Sequence, residues 1–321
     1  MPEHVRLAER IDEFGLGEAR DFLLASAVPC YLILRGDAAS GAPLGATRFG
    51  GAPDLPEGTA WPRGSDGRLA NFFAQLDFAD LAVRIDAPEL PREGLLSLVA
   101  TSIETGLELI GVTALMTLPG TPLMCAEAPE SSLLVAPERA APAPIHVRFA
   151  RYLSLPRHSR AFRRALAPKV RDDEAFAAFI DEFLLRQNDE IGRLLGFAAD
   201  PLYGSAHDYY RRLYFHSIGR AGFEWQDYWE SQEEYDAYLV RCHEASAAQY
   251  RRRMKPEVLR WLFEHRAEVD AGAATWLLLL TVESNRAMDF NINDSGAIYF
   301  FLPAADLAKG DFSRATADQF G

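Results

Sequence analysis

The sequence predicts an α+β fold: duplicated, mainly antiparallel β units sharing one core, with a helical insertion in the second half. Three observations carry this. Short apolar runs broken by glycine and proline fill both ends of the chain, the pattern of short strands and turns. Apolar residues at three- and four-residue spacing concentrate in the middle, the mark of amphipathic helices. A glycine loop, a strand ending in a carboxylate and a strand entered through glycine are written twice.

At 321 residues the chain reads as one large domain, 1–321. Residues 1–36 supply N-terminal helices and a strand, 37–155 the first repeat, and 156–321 the second repeat with the helical insertion over 172–266. Leu7, Ile11 and Phe14 recur at helical spacing, and Ala19 to Ala25 forms a second short helix stopped by Pro29. Tyr31 to Leu34 is a short strand ended by Gly36-Asp37. Residues 37–71 are rich in loop formers. Phe72 to Phe78 is the next strand, Asp80 to Ile85 a short helix or extended chain, and Leu95 to Ala100 a clean apolar strand. Leu107 to Leu118 supplies one or two more before a proline-rich connection from Pro119 to Pro144, and Val147 to Leu153 alternates as a strand.

In the middle, Asp172 is placed to cap a helix carrying Phe176, Phe179, Ile180 and Phe183, and Ile191, Leu194 and Leu195 continue the helical spacing. Leu213-Tyr214-Phe215 reads as an aromatic strand. Ser231 and Glu234 have capping-box spacing, and Pro256 suits a first helical turn. Trp276 to Val282 and Ala297 to Leu302 are strands, joined through a polar turn from Asn291 to Gly296.

The chain is organised around the stretch from Arg48 to Asp77. Gly50-Gly51, Pro53, Pro56, Trp61 and Pro62 make a stiff, shaped loop that feeds a strand ending Gln75-Leu76-Asp77. Its echo pairs Phe49-Gly50-Gly51-Ala52 with Ile218-Gly219-Arg220-Ala221. The same echo pairs Ala74 to Asp77 with Leu280 to Glu283, and Gly94 to Val99 with Gly296 to Phe301. Such units commonly share a core with a pseudo-twofold seam where a cleft forms.

The net charge of −13 opposes nucleic-acid binding, since phosphates would be repelled, and suits a basic protein partner. Ile145 to Arg171 runs the other way, with eight Lys or Arg and no acid; it either pairs with acidic surface nearby or presents an anionic-ligand surface. No apolar run is long enough to cross a bilayer, and the first residues lack the basic and apolar regions of a signal peptide, so a cytoplasmic protein is expected. The three cysteines are widely spaced and read as reduced thiols.

Candidate ligand-binding residues are Arg48, Trp61, Gln75, Asp77, His216, Trp225, Glu283 and Asp294. Asp77 and Glu283, at equivalent strand ends, would face one cleft and share a proton or a cation; alternatively each accepts backbone N–H bonds and fixes its own loop. Arg48 beside two glycines has the makings of an anion site. Trp61, Trp225 and Trp229 form either a ligand wall or a plug under the loops. His216 lies at the start of the second loop as a structural histidine or a ligand. Asp289 to Gly296 carries the first oxygen positions of a calcium loop but lacks its sixth-position glycine and twelfth-position acid, so no metal is assigned. There is no Walker loop, dinucleotide fingerprint, H-E-x-x-H or G-x-S-x-G, and neither a catalytic residue nor a cofactor is assigned.

As a set, certain motifs resemble the YwqG-like family of bacterial proteins of uncharacterised function. They are Gly50-Gly51-Ala52-Pro53-Asp54-Leu55-Pro56, Trp61-Pro62, Gln75-Leu76-Asp77, Leu90-Pro91-Arg92-Glu93-Gly94-Leu95-Leu96 and Asp294-Ser295-Gly296-Ala297-Ile298-Tyr299-Phe300-Phe301. The resemblance implies a duplicated, mainly antiparallel α+β domain and implies no reaction. This chain departs from the pattern at Gly219-Arg220, Thr281-Val282-Glu283 and Ile292-Asn293. The reading is a non-enzymatic binding protein with a protein or peptide ligand, an immunity or antitoxin protein being one concrete version. The alternative is a hydrolase or metal-dependent enzyme with its site at the seam between repeats.

Overall fold

Among the described residues, twelve strands and the helices around them follow one another along the chain in the computed structural model. It describes residues 3–38, 42–63, 67–101, 111–130, 144–156, 159–183, 189–198, 209–223, 229–285 and 296–320. The strands are β1 (Val28–Ala38), β2 (Arg48–Phe49), β3 (Asp54–Pro56), β4 (Asn71–Asp77), β5 (Leu95–Thr101), β6 (Gly111–Thr117), β7 (Leu123–Cys125), β8 (Ile145–Ser154), β9 (Glu190–Leu194), β10 (Trp276–Glu283), β11 (Ala297–Pro303) and β12 (Thr316–Phe320). The helices are α1 (Glu3–Glu13), α2 (Arg20–Ser26), α3 (Phe78–Arg84), α4 (Arg160–Leu166), α5 (Asp173–Phe183), α6 (Tyr209–Ser217), α7 (Gln232–Arg241), α8 (Glu244–Arg253), α9 (Pro256–Glu264), α10 (Arg266–Ala273) and α11 (Ala304–Leu307).

Ten strands form one antiparallel sheet in the order β12-β11-β10-β9-β1-β8-β2-β4-β5-β6, and β3 pairs with β7 apart from it. The sheet curls until β6 and β12 approach each other, so its inner face closes around the main core. Alternate residues of the strands fill that core: Ile33, Phe49, Leu76, Leu98, Val147, Leu280 and Phe300 are all essentially buried. Rings from both sides meet there, Phe73 on Phe300 edge-on at 5.7 Å and Phe78 stacked on Phe312 at 5.8 Å. Each such ring contributes roughly 1.5–3 kcal/mol through burial.

Helices cover much of the outer face on the β8 and β10–β11 side. α1, α2, α4 and α5 pack over Leu153 and Leu155. Tyr210 and Leu213 of α6 lie on Leu278, Tyr299 and Phe301. A further cluster around Trp229 joins α7, α8 and α9. The predicted caps form: Asp172 accepts from the Ala175 amide at 2.9 Å, and Ser231 accepts from the Glu234 amide at 3.1 Å. Glu234 reaches back to the amide of Glu230 at 2.7 Å, one residue beyond the usual capping-box partner Ser231.

Three expectations about secondary structure need correction. Leu213-Tyr214-Phe215 is not a strand but lies inside α6. Ile191 and Leu194 belong to β9, not to a continuing helix, so a strand interrupts the expected insertion over 172–266. Their three-residue spacing imitates a helix, while Gly192 between them marks a close backbone approach: a Cβ there would lie 2.0 Å from the Thr281 carbonyl oxygen. The first strand runs eleven residues rather than four, because it lies mid-sheet with β8 and β9 on its two sides.

Read outward from the β1–β8 pair, the two sides of the sheet repeat one another, β9 with β2, β10 with β4, β11 with β5, β12 with β6. Local detail repeats too. Arg48 and Phe49 lie opposite Gln75 and Ala74, as Arg193 and Leu194 lie opposite Thr281 and Leu280. The Gly50 amide donates to the Phe73 carbonyl at 3.0 Å, and the Leu195 amide to that of Leu279 at 3.0 Å. Both β4 and β10 carry an irregularity at that point, between Phe72 and Ala74 and between Leu278 and Leu280. Two left-handed residues follow each short strand: Gly50 and Gly51 at φ 70 and 76, Leu195 and Gly196 at φ 64 and 87. The structural counterpart of Gly50-Gly51 is therefore Leu195-Gly196 and not Gly219-Arg220, which follows the end of α6. A leucine in the left-handed region hides the match from sequence, since glycine is the residue expected there.

Candidate functional site

The loop from Gly45 to Asp54 is tied by a buried polar knot. Successive left-handed glycines turn the chain back after β2, bringing Asp54 beside the strand it has just left. Arg48 forks onto the Asp54 carboxylate through Nη1 and Nη2, both at 2.7 Å, and also donates to the Ala52 carbonyl at 2.5 Å. Asp54 accepts further from the Gly45 amide and Gln75 Nε2, each at 2.8 Å. Gln75 completes the knot: its Oε1 accepts from the Asp54 amide at 2.9 Å, and its Nε2 donates to the Ala46 carbonyl at 2.7 Å. Burial pushes the Asp54 carboxyl up, but the bonds from Arg48 and Gln75, the Gly45 amide and the guanidinium charge outweigh it and hold the group below the usual carboxylate range.

Arg48 and Gln75, expected as ligand residues, are thus committed to the loop's own structure. What they position is a cleft of about 690 Å³, because Gly45 and Ala46, both held by the knot, are part of its wall. The opposite walls are the start of α3 and the turn after β6. Asp77 lies at its edge. Asp77 Oδ1 accepts from the Ala79 amide at 3.0 Å and caps α3, while the Asp77 amide donates to Thr47 Oγ1 at 2.9 Å. Asp80, paired with Arg84 at 2.8 Å, and Glu93 add two more carboxylates, against Arg84 as the one Lys or Arg among the lining residues; His146 also lines the cleft. Leu44 and Leu118, 55% and 71% exposed, contribute apolar surface to the same cleft.

Glu283 is elsewhere, and the expectation that it meets Asp77 is corrected. Leu76 and Val282 point into the core, so their neighbours Asp77 and Glu283 project from the outer face. With β9, β1, β8 and β2 between their strands in a sheet curled around its core, the two carboxylates point apart. Glu283 is buried near Arg193, which pairs with Glu190 at 2.7 Å. This second buried arginine occupies the place on its side that Arg48 holds on the other.

Trp61 is a plug: its Nε1 donates to the Ala70 carbonyl at 2.8 Å, and its ring packs with Phe72 and Val99. His216 is in the last turn of α6, partly buried. Trp225, Asp294 and the calcium-like stretch from Asp289 to Ser295 lie outside the described residues. Sequence reasoning missed Asp54, although it stands six residues after Arg48 in the loop already singled out, and it missed the apolar rim of Leu44 and Leu118. Among the described residues no group of three His, Cys, Asp or Glu side chains is disposed to hold a metal ion.

A family model described as a domain of unknown function (DUF1963) matches residues 47–318. The chain belongs to this family. The DUF1963 match begins just ahead of β2 and ends within β12, so it takes in most of the knot, most of the cleft and both sides of the sheet apart from β1. No curated protein matches the chain.

Proposed function

We propose that this is a binding protein whose cleft beside Asp77 receives a segment of a protein partner. The segment brings a basic side chain to Asp77 and Glu93 and an apolar one to Leu44 and Leu118. The observation that carries the reading is a cleft of about 690 Å³, with room for several side chains, an acidic balance and an apolar rim, one wall of which is held in shape before any ligand arrives. An overall charge of −13 steers basic partners toward it. Neutralising a basic protein, as an immunity or antitoxin protein does, is one concrete version. The basic stretch at 145–171 is less suited to be a partner surface. Arg148 pairs with Asp189 at 2.8 Å, Arg164 with Glu230 at 3.3 Å and Arg171 with Glu18 at 2.5 Å.

The hydrolase alternative loses its premise once Asp77 and Glu283 face apart. Three cysteines without disulfides suit a reducing compartment such as the cytoplasm. The repeated half-sheets and the YwqG-like motifs read together as an internal duplication, dividing between β7 and β8.

The test is titration calorimetry at low salt with a peptide alternating Lys and Leu. Asp77→Asn keeps the helix cap, and combined with Glu93→Gln it should weaken binding by about tenfold, the effect of removing two charge partners at a partly desolvated rim. Equal affinity of wild type and variant, or no binding of any basic peptide at millimolar concentration, would count against the proposal.

A further inference from the structure

A second groove, on the helical side of the molecule, carries the opposite sign. Its cavity of about 540 Å³ lies among α7, α8 and α9. The floor is apolar and firm: Tyr235, Leu239, Met254 and Leu259 are buried in the cluster around Trp229, whose ring meets Tyr235 edge-on at 4.7 Å. The rim is charged. Arg251 from α8 and Arg260 from α9 line it, both exposed, and neither makes an ion pair among the described residues. Arg252, Arg253 and Lys255 stand next to Arg251, making this a local concentration of positive charge in a chain of net −13. Glu264 is the one acid in the lining.

Arginines in the last turn of α8 suit the negative end of the helix dipole, which accounts for the sign of Arg251. It does not account for Arg260, which lies mid-helix on α9 and lines the same groove. The buried arginines among the described residues have all found acids: Arg48, Arg193, Arg211 and Arg212 are each paired. Two guanidinium groups without acids among the described residues, beside an apolar floor, form a receptor for an acceptor-bearing chain, because guanidinium groups take carboxylates in bidentate fashion while the floor takes an apolar anchor.

We propose that the groove among α7, α8 and α9 binds an acidic peptide segment of a partner protein, anchored by one aromatic or aliphatic side chain on Leu239 and Leu259 and by carboxylates on Arg251 and Arg260. This site is separate from the acidic cleft and does not depend on the reading given for it.

The experiment uses the full chain and a fluorescein-labelled peptide rich in Asp and Glu with one Phe and one Leu, followed by anisotropy. Wild type should bind it, more weakly as salt rises, and Arg251→Glu with Arg260→Glu should lower affinity at least tenfold. Asp77→Asn in the other cleft should leave it unchanged. Both arginines are exposed, so the variant should keep its circular dichroism spectrum and melting temperature. Equal binding by the double variant, equal binding of a peptide with Lys in place of every acid, or no saturable binding would overturn the proposal. So would finding by sedimentation that the double variant abolishes only self-association, since the occupant would then be a second copy of this chain.

Discussion

Removing the carboxylate of Asp54 is the sharpest perturbation of the knot. Asp54→Ala deletes the acceptor for both Arg48 Nη groups, Gln75 Nε2 and the Gly45 amide at once, at a side chain with no exposed surface. The guanidinium it leaves behind is 7% exposed and cannot turn to water without opening the loop. An uncompensated buried charge of this kind costs about 3–5 kcal/mol. Arg48→Met leaves a carboxylate that retains the Gly45 and Gln75 donors and can take up a proton, so it should cost less, about 2–3 kcal/mol. The double variant Arg48→Met with Asp54→Ala removes both charges and should cost less than the two singles together, by about 1–3 kcal/mol. Urea unfolding followed by far-ultraviolet circular dichroism measures all three. Strict additivity, or a cost below about 1 kcal/mol for Asp54→Ala, would refute the account of the knot. There is also a pH signature. The folded Asp54 carboxyl lies below its unfolded value, so its stabilisation is complete above about pH 4 and is lost as pH falls through the lower folded value. Asp54→Ala should lack that acid-side slope.

Gly192→Ala should destabilise by about 3 kcal/mol in urea unfolding, because the new Cβ would sit 2.0 Å from a backbone oxygen of β10 that cannot move aside as a flexible side chain would. Gly51→Ala and Gly196→Ala, at equivalent left-handed positions crowded by Pro144 and by Cys30 and Ser154, should each cost about 1–3 kcal/mol, and similar losses in both would support the equivalence of the two turns. Cys30 is fully buried, and burial, partly offset by Arg193 and reinforced by Glu190, pushes its thiol up to about 12. A thiol reagent should therefore modify exposed Cys125 in the native protein and reach Cys30 only on unfolding. Since the folded value of Cys30 is the higher one, this group's contribution to stability should fall as pH rises from about 9 toward about 12.

Much of the fold was legible because its signals are local. The caps at Asp172 and Ser231 and the proline opening α9 depend on neighbours within a turn, and the structure realises each. The strands near residues 72 and 297 are apolar runs bounded by turn residues, which also need no distant partner to be read. β9 was not legible: Glu190 to Leu194 has a helix-like spacing, and only the places on either side of it, filled by β1 and β10, make it a strand. The role of Arg48 was half legible. An arginine beside two glycines pointed to an anion, but whether that anion was a ligand or Asp54 depended on where the loop returned.

Sequence by itself determined the class of fold and the stiff loop after β2, since these follow from residue type and spacing. Only the tertiary structure decided that Leu195-Gly196 is the second loop's turn and that the two acids point apart. It alone brought Leu44 and Leu118 to one cleft. Each of these depends on the curl of the sheet, a property of ten strands together that no single stretch of sequence carries.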